Sequence, residues 1–323
     1  MTDLSHEANV RSAAGIPARP LPGIEPAGAA GGRNRRPPTR RDPEPRAVNV
    51  RFPGRCLGRY SSPSIIETLV PATSVTSLYN TIGHTYSRGR QSDPRIAAAI
   101  ESALGNCETI LNVGAGTGSY EPRSRMVVAV EPSITMIAQR PAGAAPVVQA
   151  CAEALPFRNG SFDAVLGILT VHHWKDQAKG FSECVRLARS RVVFVTNDFD
   201  VCAQFWLFDY FPELLRADRH IFPSMARFVG ALGPVETIAV PVPSDCRDGF
   251  LGAYWQRPRA YLDPFVRGNI STFSKIGNID SQLACLKGDI ESGAWQRRYP
   301  SLEGLGTLDL GYRIVIARRD GVG

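Results

Sequence analysis

The 323-residue sequence contains no apolar run approaching the roughly 18 residues that a membrane-crossing helix requires, which removes a transmembrane reading. Paired cysteine motifs are missing too. Cys56, Cys107, Cys151, Cys184, Cys202, Cys246 and Cys285 are scattered, odd in number and without CxxC spacing, so neither a disulfide framework nor a zinc site is expected. The simplest compartment for such thiols is a reduced one, and the cytoplasm is the expected location. The N-terminus lacks the continuous apolar segment of a secretory signal, while Asp3, Glu7, Glu25 and the many prolines argue against an amphipathic transit helix. A basic face is also lacking over most of the chain. The formal charge is +7, but residues 1–60 hold eleven arginines against five carboxylates, leaving the remainder nearly neutral. No nucleic-acid partner is expected from a folded part of that kind.

The same sixty residues carry nine prolines and seven glycines with few large apolar side chains, too little burial to offset the entropy of ordering. They read as a disordered extension over 1–73, with the folded domain spanning 74–323. From there strand and helix signals alternate, the pattern of a parallel sheet covered on both faces. Asp93-Pro94 starts a helix that Gly105 ends. Strands are expected at Thr109–Val113, Met126–Val130, Val147–Gln149, Phe162–Leu169 and Arg191–Thr196, with helices over 133–140 and 176–189. Beyond Asn197 an aromatic-rich helix is stopped by Pro212, and Val235–Val242 and Tyr312–Ala317 supply the last two strands. The expected fold is therefore α/β, a Rossmann-like, seven-stranded, mostly parallel sheet with a helical insertion between the last two strands. Its cofactor-binding core spans 105–200, and substrate-cap segments span about 199–234 and 245–308.

The strongest local signal is TILNVGAGTGSYEP, residues 109–122. An apolar strand delivers the chain to a turn whose glycines clear the surface that a ligand must approach. The spacing is GxGxG, with Ser119 next, so the dinucleotide pattern GxGxxG is not met. Glu131, thirteen residues past Gly118, closes the second strand with a carboxylate able to accept from two ribose hydroxyls. Dinucleotide folds place that acid roughly twenty residues on.

GAGTGSYE, VAVEPS, AEALPF, SFDAVLGILTVHHW and RVVFV, in that order, resemble the class I S-adenosylmethionine-dependent methyltransferases, most of all the branch containing ubiquinone and menaquinone C-methyltransferases. The resemblance covers about residues 76–200. It implies S-adenosylmethionine as cofactor, lined by Gly114, Ala115, Gly116 and Gly118. Glu131 would hold the ribose, and Pro132, Ser133 and Met136 would flank the adenine. Ala152 and Glu153 would border the same ring, and Gly167, Ile168 and Leu169 would pass the methionine portion. Cys151 stands where relatives often carry an aspartate, and thiol sulfur is a poor acceptor. Tyr79, Tyr86 and Arg88 match a stretch that in relatives closes over the cofactor, with an arginine for the methionine carboxylate.

Methyl transfer discharges a sulfonium, so a dry, in-line site supplies much of the acceleration, and a base is needed only for a protonated nucleophile. His173 and His172 follow the fourth strand and are the base candidates. Phe205, Trp206, Tyr210, Tyr254 and Trp255, with Arg257 and Arg259, suit a pocket for a planar small molecule, an anionic one included, although the same aromatics would serve as the core of a helical lid. No NPPY-like segment follows the fourth strand, which disfavours amino-directed nucleic-acid methylation, and no carboxylate cluster there suits magnesium. A metal-free enzyme acting on an O, N or C atom of a small molecule remains, against two alternatives. One is a nicotinamide-dependent oxidoreductase; the other is a non-catalytic partner that kept the fold.

Overall fold

The computed structural model describes residues 89–319. The extension over 1–73, the domain start near Ser74, and Tyr79, Tyr86 and Arg88 lie outside the described residues.

The first helix, α1 (Pro94–Leu104), begins as its sequence dictates. The Asp93 side chain accepts from the Arg95 amide, Pro94 occupies the first turn where its missing N–H costs nothing, and Gly105 at φ +55° ends it. The chain then enters β1 (Thr109–Val113), β2 (Met126–Val130), α2 (Ile134–Ala138), β3 (Val147–Val148), β4 (Phe162–Ile168), α3 (Gln177–Leu187) and β5 (Ala188–Asn197). Helix α2 stops short of the expected 133–140. Pro141 follows Arg140, and the residue before a proline is disfavoured in helical conformation.

After β5 come α4 (Phe199–Cys202), α5 (Leu207–Tyr210), α6 (Pro212–Arg219) and α7 (Met225–Leu232). Pro212 does not merely stop a helix; it sits in the first turn of α6. The expected strand 235–242 also divides. Its first part, β6 (Glu236–Ala239), joins the large sheet, and Pro241, which has no amide to donate, precedes β7 (Val242–Pro243). That segment pairs instead with β8 (Thr307–Leu308) in a separate two-stranded sheet. Between β7 and β8 lie α8 (Pro264–Gly268), α9 (Asp280–Glu291) and α10 (Ala294–Arg298), and β9 (Tyr312–Arg318) returns to the sheet.

The seven-stranded order is β3-β2-β1-β4-β5-β9-β6. The first five strands run parallel, while β9 is antiparallel to both β5 and β6. Strand residues alternate between two cores, as a two-residue period requires. Ile110, Ala164, Leu166, Val193 and Ile314 join Ile96, Ile100 and Leu104 of α1 on one face. Leu111, Val165, Val192, Phe194 and Val315 join Phe181 and Leu187 of α3 and Phe228 of α7 on the other. Strands covered on both sides read as continuous apolar runs, and this explains the poor alternation of Phe162–Ile168. Chain order reverses between β1 and β4, so the carboxyl ends of those strands form the crevice where open α/β sheets hold ligands.

Candidate active site

The bend after β1 is fixed by its backbone. The Gly114 and Ala115 amides both donate to the Val130 carbonyl, at 2.8 and 2.9 Å, and Gly114, Gly116 and Gly118 all have positive φ. A Cβ on Gly114 would come within 1.8 Å of Thr170 Oγ1 beyond β4, so that position requires glycine both for its dihedral and for its neighbour. Glu131, buried at the end of β2, accepts from the Gly116 amide through Oε2 at 2.8 Å and from the Ser133 amide through Oε1 at 2.9 Å. Both oxygens are thereby oriented, each with a lone pair to spare. Burial pushes the carboxyl pKa up, against the pull of those two amides.

A buried ion pair stiffens the loop from behind. Arg140 donates to both oxygens of Glu121 at 2.7 and 2.8 Å and to the Gly116 carbonyl at 3.1 Å, and Asn112 at the end of β1 also donates to Glu121. No helix forms between β1 and β2. The helix N-terminus that seats a pyrophosphate in dinucleotide folds is therefore missing from its place after the glycine loop.

These elements enclose a crevice with about 1050 Å³ of empty space, open at its mouth. Gly114, Ala115, Gly116, Glu131, Pro132 and Met136 line it from the first two strands. Cys151, Ala152, Glu153, Ile168, Leu169 and His173 line it from the third and fourth. Of the residues assigned to the cofactor from the sequence, Gly118, Ser133 and Gly167 do not reach the lining. Gly118 backs onto Glu121 and Arg140, Ser133 caps α2 and holds Glu131, and Gly167 makes room for the Phe194 ring, 2.8 Å from where its Cβ would be. The Glu153 carboxylate is occupied by the amides of Lys175 and Asp176, at 2.8 and 3.2 Å, tying the ring-side wall to the turn after β4.

Arg90 and Tyr120 are among the lining residues that the sequence did not single out. Arg90 is held by Asp248, through Nε at 2.7 Å and Nη2 at 3.3 Å. The same fully buried carboxylate accepts from the Tyr120 hydroxyl at 2.9 Å and the Gly249 amide at 2.7 Å. Tyr120 and Leu169 are the non-glycine residues with positive φ among the described residues, at 62° and 48°, and both line the crevice. Strained backbone of this kind persists where surrounding contacts over-determine it and is concentrated at functional sites.

A second cavity, with about 560 Å³ of empty space, adjoins the first and shares Arg90, Leu169 and His173 with it. His172 faces only this one and stacks on Phe222 with ring centroids 3.8 Å apart. Burial, with Lys275 nearby, lowers the His173 pKa to about 3, and burial beside His173 and Lys275 holds His172 well below the usual imidazole range. Both shifts favour the neutral imidazole near pH 7.

The substrate residues expected from the sequence do not line either cavity. Phe205, Trp206, Tyr210 and Trp255 are buried in the cap core. There Trp206 donates to the Trp255 carbonyl at 2.7 Å and Tyr210 to Asp289 at 2.6 Å. Tyr254 packs beneath Arg257, 4.8 Å from guanidinium carbon to ring centroid, and Arg259 is exposed. These rings are packed in a hydrophobic core. Among the described residues no group of three or more His, Cys, Asp or Glu could hold a metal ion. None of their helices is long and apolar enough to cross a membrane.

Fold and crevice together define a nucleoside-binding methyltransferase class, and comparison with known proteins agrees. Residues 111–196 match the family described as Methyltransferase domain. A search of curated proteins finds no match. Among solved structures, a protein of Anabaena variabilis assigned as a methyltransferase from an antibiotic biosynthesis pathway shares 33% identity, with 71% of this chain and 98% of that one covered and a TM-score of 0.67. A methyltransferase of Thermotoga maritima, described as a possible histamine N-methyltransferase, shares 14% identity over 76% of this chain and 98% of its own, with a TM-score of 0.45. The chain belongs to the class I S-adenosylmethionine-dependent methyltransferases, in the type 11 branch. It is a methyltransferase enzyme, and S-adenosylmethionine is its cofactor.

Proposed function

We propose that the crevice between β1 and β4 binds S-adenosylmethionine through Glu131 and the glycine bend, and that the acceptor is a small metabolite entering from the adjoining cavity. The carrying observation is the Glu131 carboxylate, whose two oxygens are aimed by the Gly116 and Ser133 amides and keep one lone pair each for a vicinal diol. A ribose supplies that diol. Pro132, Met136, Cys151 and Ala152 form the walls beside it, suited to the adenine. Arg90, held by Asp248, lines the same crevice and is the arginine we assign to the end of the site that takes the methionine carboxylate.

When bound, S-adenosylmethionine supplies an electrophilic methyl group on a cationic sulfur. This chain's contribution is to hold, orient and dry the site. Leu169 and His173 stand at the boundary of the two cavities. His173 is the residue we assign to orient the acceptor at that boundary, and its low pKa makes it a feeble base. His172 backs it by stacking. A small-molecule acceptor is supported by the 33% identical relative's pathway assignment, and the concentration of arginine before residue 60 supports the absence of a nucleic-acid role. Free thiols at all six described cysteines support a reduced, cytoplasmic setting.

Calorimetric titration with S-adenosylhomocysteine tests the donor site. Wild type binds, and Glu131→Ala binds about 100-fold more weakly, since two hydrogen bonds to a charged group contribute roughly 1.5 kcal/mol or more each. Unchanged affinity, or binding of NAD in place of S-adenosylhomocysteine, rejects the assignment.

A further inference from the structure

We propose that Asp248 is a positioning residue for the donor: without meeting S-adenosylmethionine itself, it sets the Arg90 and Tyr120 side chains at the end of the crevice that takes the methionine portion. This rests on the donor assignment above and names the residue on which selection for an amino-acid tail depends.

The Asp248 carboxylate is fully committed. It belongs to the loop after β7, its side chain is 0% exposed, and it does not line the crevice. Oδ1 accepts from Arg90 Nε at 2.7 Å and from the Gly249 amide at 2.7 Å. Oδ2 accepts from Arg90 Nη2 at 3.3 Å and from the Tyr120 hydroxyl at 2.9 Å. These bonds fill the roughly four lone-pair sites of a carboxylate, so none is left for a ligand.

Both side-chain partners face the crevice. Engagement through Nε and Nη2 is the bidentate fork, which fixes the plane of the Arg90 guanidinium as well as its place. Tyr120 is held at both ends. Its hydroxyl donates to Asp248 and accepts from the Asp93 amide at 3.2 Å, while its own amide donates to Ser92 Oγ at 2.8 Å. Those contacts over-determine its φ of 62°. A buried ion pair loses in desolvation much of what it gains by attraction, so stability alone is a poor account of Asp248. A fixed direction for the guanidinium is a better one.

The backbone is cleared for this contact. A Cβ on Gly249 would lie 2.1 Å from the Gly89 carbonyl oxygen, so the loop can approach Arg90 only with glycine there. Along the same stretch Asp93 accepts from the Arg247 amide at 3.1 Å, and Arg95 pairs with Asp245 at 2.7 Å. The loop 245–249 thus runs against the chain 89–95, and Asp248 is the member whose partners line the crevice.

The test compares S-adenosylhomocysteine with methylthioadenosine, which keeps the adenine, ribose and sulfur and lacks the amino-acid tail. Both are titrated against the full chain, and wild type is expected to bind S-adenosylhomocysteine the more tightly. Asp248→Asn is expected to weaken S-adenosylhomocysteine at least about 10-fold, the loss of one hydrogen bond to a charged group, and methylthioadenosine by less than about 2-fold. The retained nucleoside affinity also shows that the variant is folded. Arg90→Gln is expected to give a similar loss and the double variant no further one, because the two residues act as a unit. Should Asp248→Asn bind neither ligand, Tyr120→Phe, which removes one hold on the carboxylate and keeps the ring, is read by the same ratio, with an expected loss of at least about 3-fold for S-adenosylhomocysteine alone. In the variant so read, a measurable loss shared equally by the two ligands or an unchanged S-adenosylhomocysteine affinity overturns the proposal, as do losses that simply add in the double variant. Wild type that binds neither ligand, or binds both equally, overturns the donor assignment instead.

Discussion

Single residues at the crevice show how much chemistry turns on one atom. Cys151 lines the crevice wall that the proposed donor site gives to the adenine, and sulfur accepts poorly from an amino group. Cys151→Asp should tighten S-adenosylhomocysteine binding by about 2- to 10-fold, the yield of one hydrogen bond of 0.5–1.5 kcal/mol. Calorimetry reads this directly, and an unchanged or weaker affinity would show that the ring lies elsewhere. Because Cys151 is exposed and free, its alkylation by iodoacetamide should be slowed by the same ligand. The Glu131, Pro132 and Ala152 positions were legible because the motif order that carries the family also fixes their place on the sheet. Arg90 and Asp248 were not, since their pairing spans 158 residues and no local pattern announces it.

At the scale of elements, the bend after β1 and the ion pair behind it hold the site's shape. Gly114→Ala places a methyl at φ +68° against Thr170, whereas Gly143→Ala, at φ +88°, meets open space. The second should cost about 1–2 kcal/mol for the left-handed backbone alone, and the first at least about 2 kcal/mol more for the collision. Urea unfolding of the two variants measures the gap; equal costs would mean that the bend relaxes away from Thr170. Glu121→Ala strands Arg140, both side chains being 7% exposed or less, and should destabilise by about 3–5 kcal/mol. Because Arg140 also holds the Gly116 carbonyl, the same variant should weaken S-adenosylhomocysteine binding, and a stability loss with unchanged affinity would separate the ion pair from the loop.

Over the whole molecule, buried neutral histidines make stability depend on pH. In the unfolded chain a histidine takes up a proton near pH 6.5, but His173 in the folded state does so only at about 3, and His172 is lowered as well. Between those values the unfolded state binds more protons, so stability falls as pH falls, by at most about 1.4 kcal/mol per pH unit for each ring. Glu131 acts in the opposite sense, because its raised carboxyl pKa favours the folded state as it protonates. Urea midpoints at pH 7 and pH 5 should therefore drop on acidification in wild type and drop less in His172→Phe, which keeps the stack on Phe222. Equal slopes would show that His172 is not the titrating group.

What the sequence determined by itself is local or nearly so. The Asp93-Pro94 start, the glycine bend, the acid closing β2 and the doubly apolar strands each follow from neighbours within a few residues, and their order along the chain carried the sheet and the cofactor. The tertiary structure alone assembled the second cavity. Asn197, Asp218, Phe250 and Thr272 come from four separate elements and meet only when the cap folds over the strand ends. Meanwhile Trp206 and Trp255, conspicuous in the text, turn inward to fill the cap. Burial rewards an aromatic side chain wherever water is excluded, in a core as much as in a pocket, so composition could not tell wall from filling.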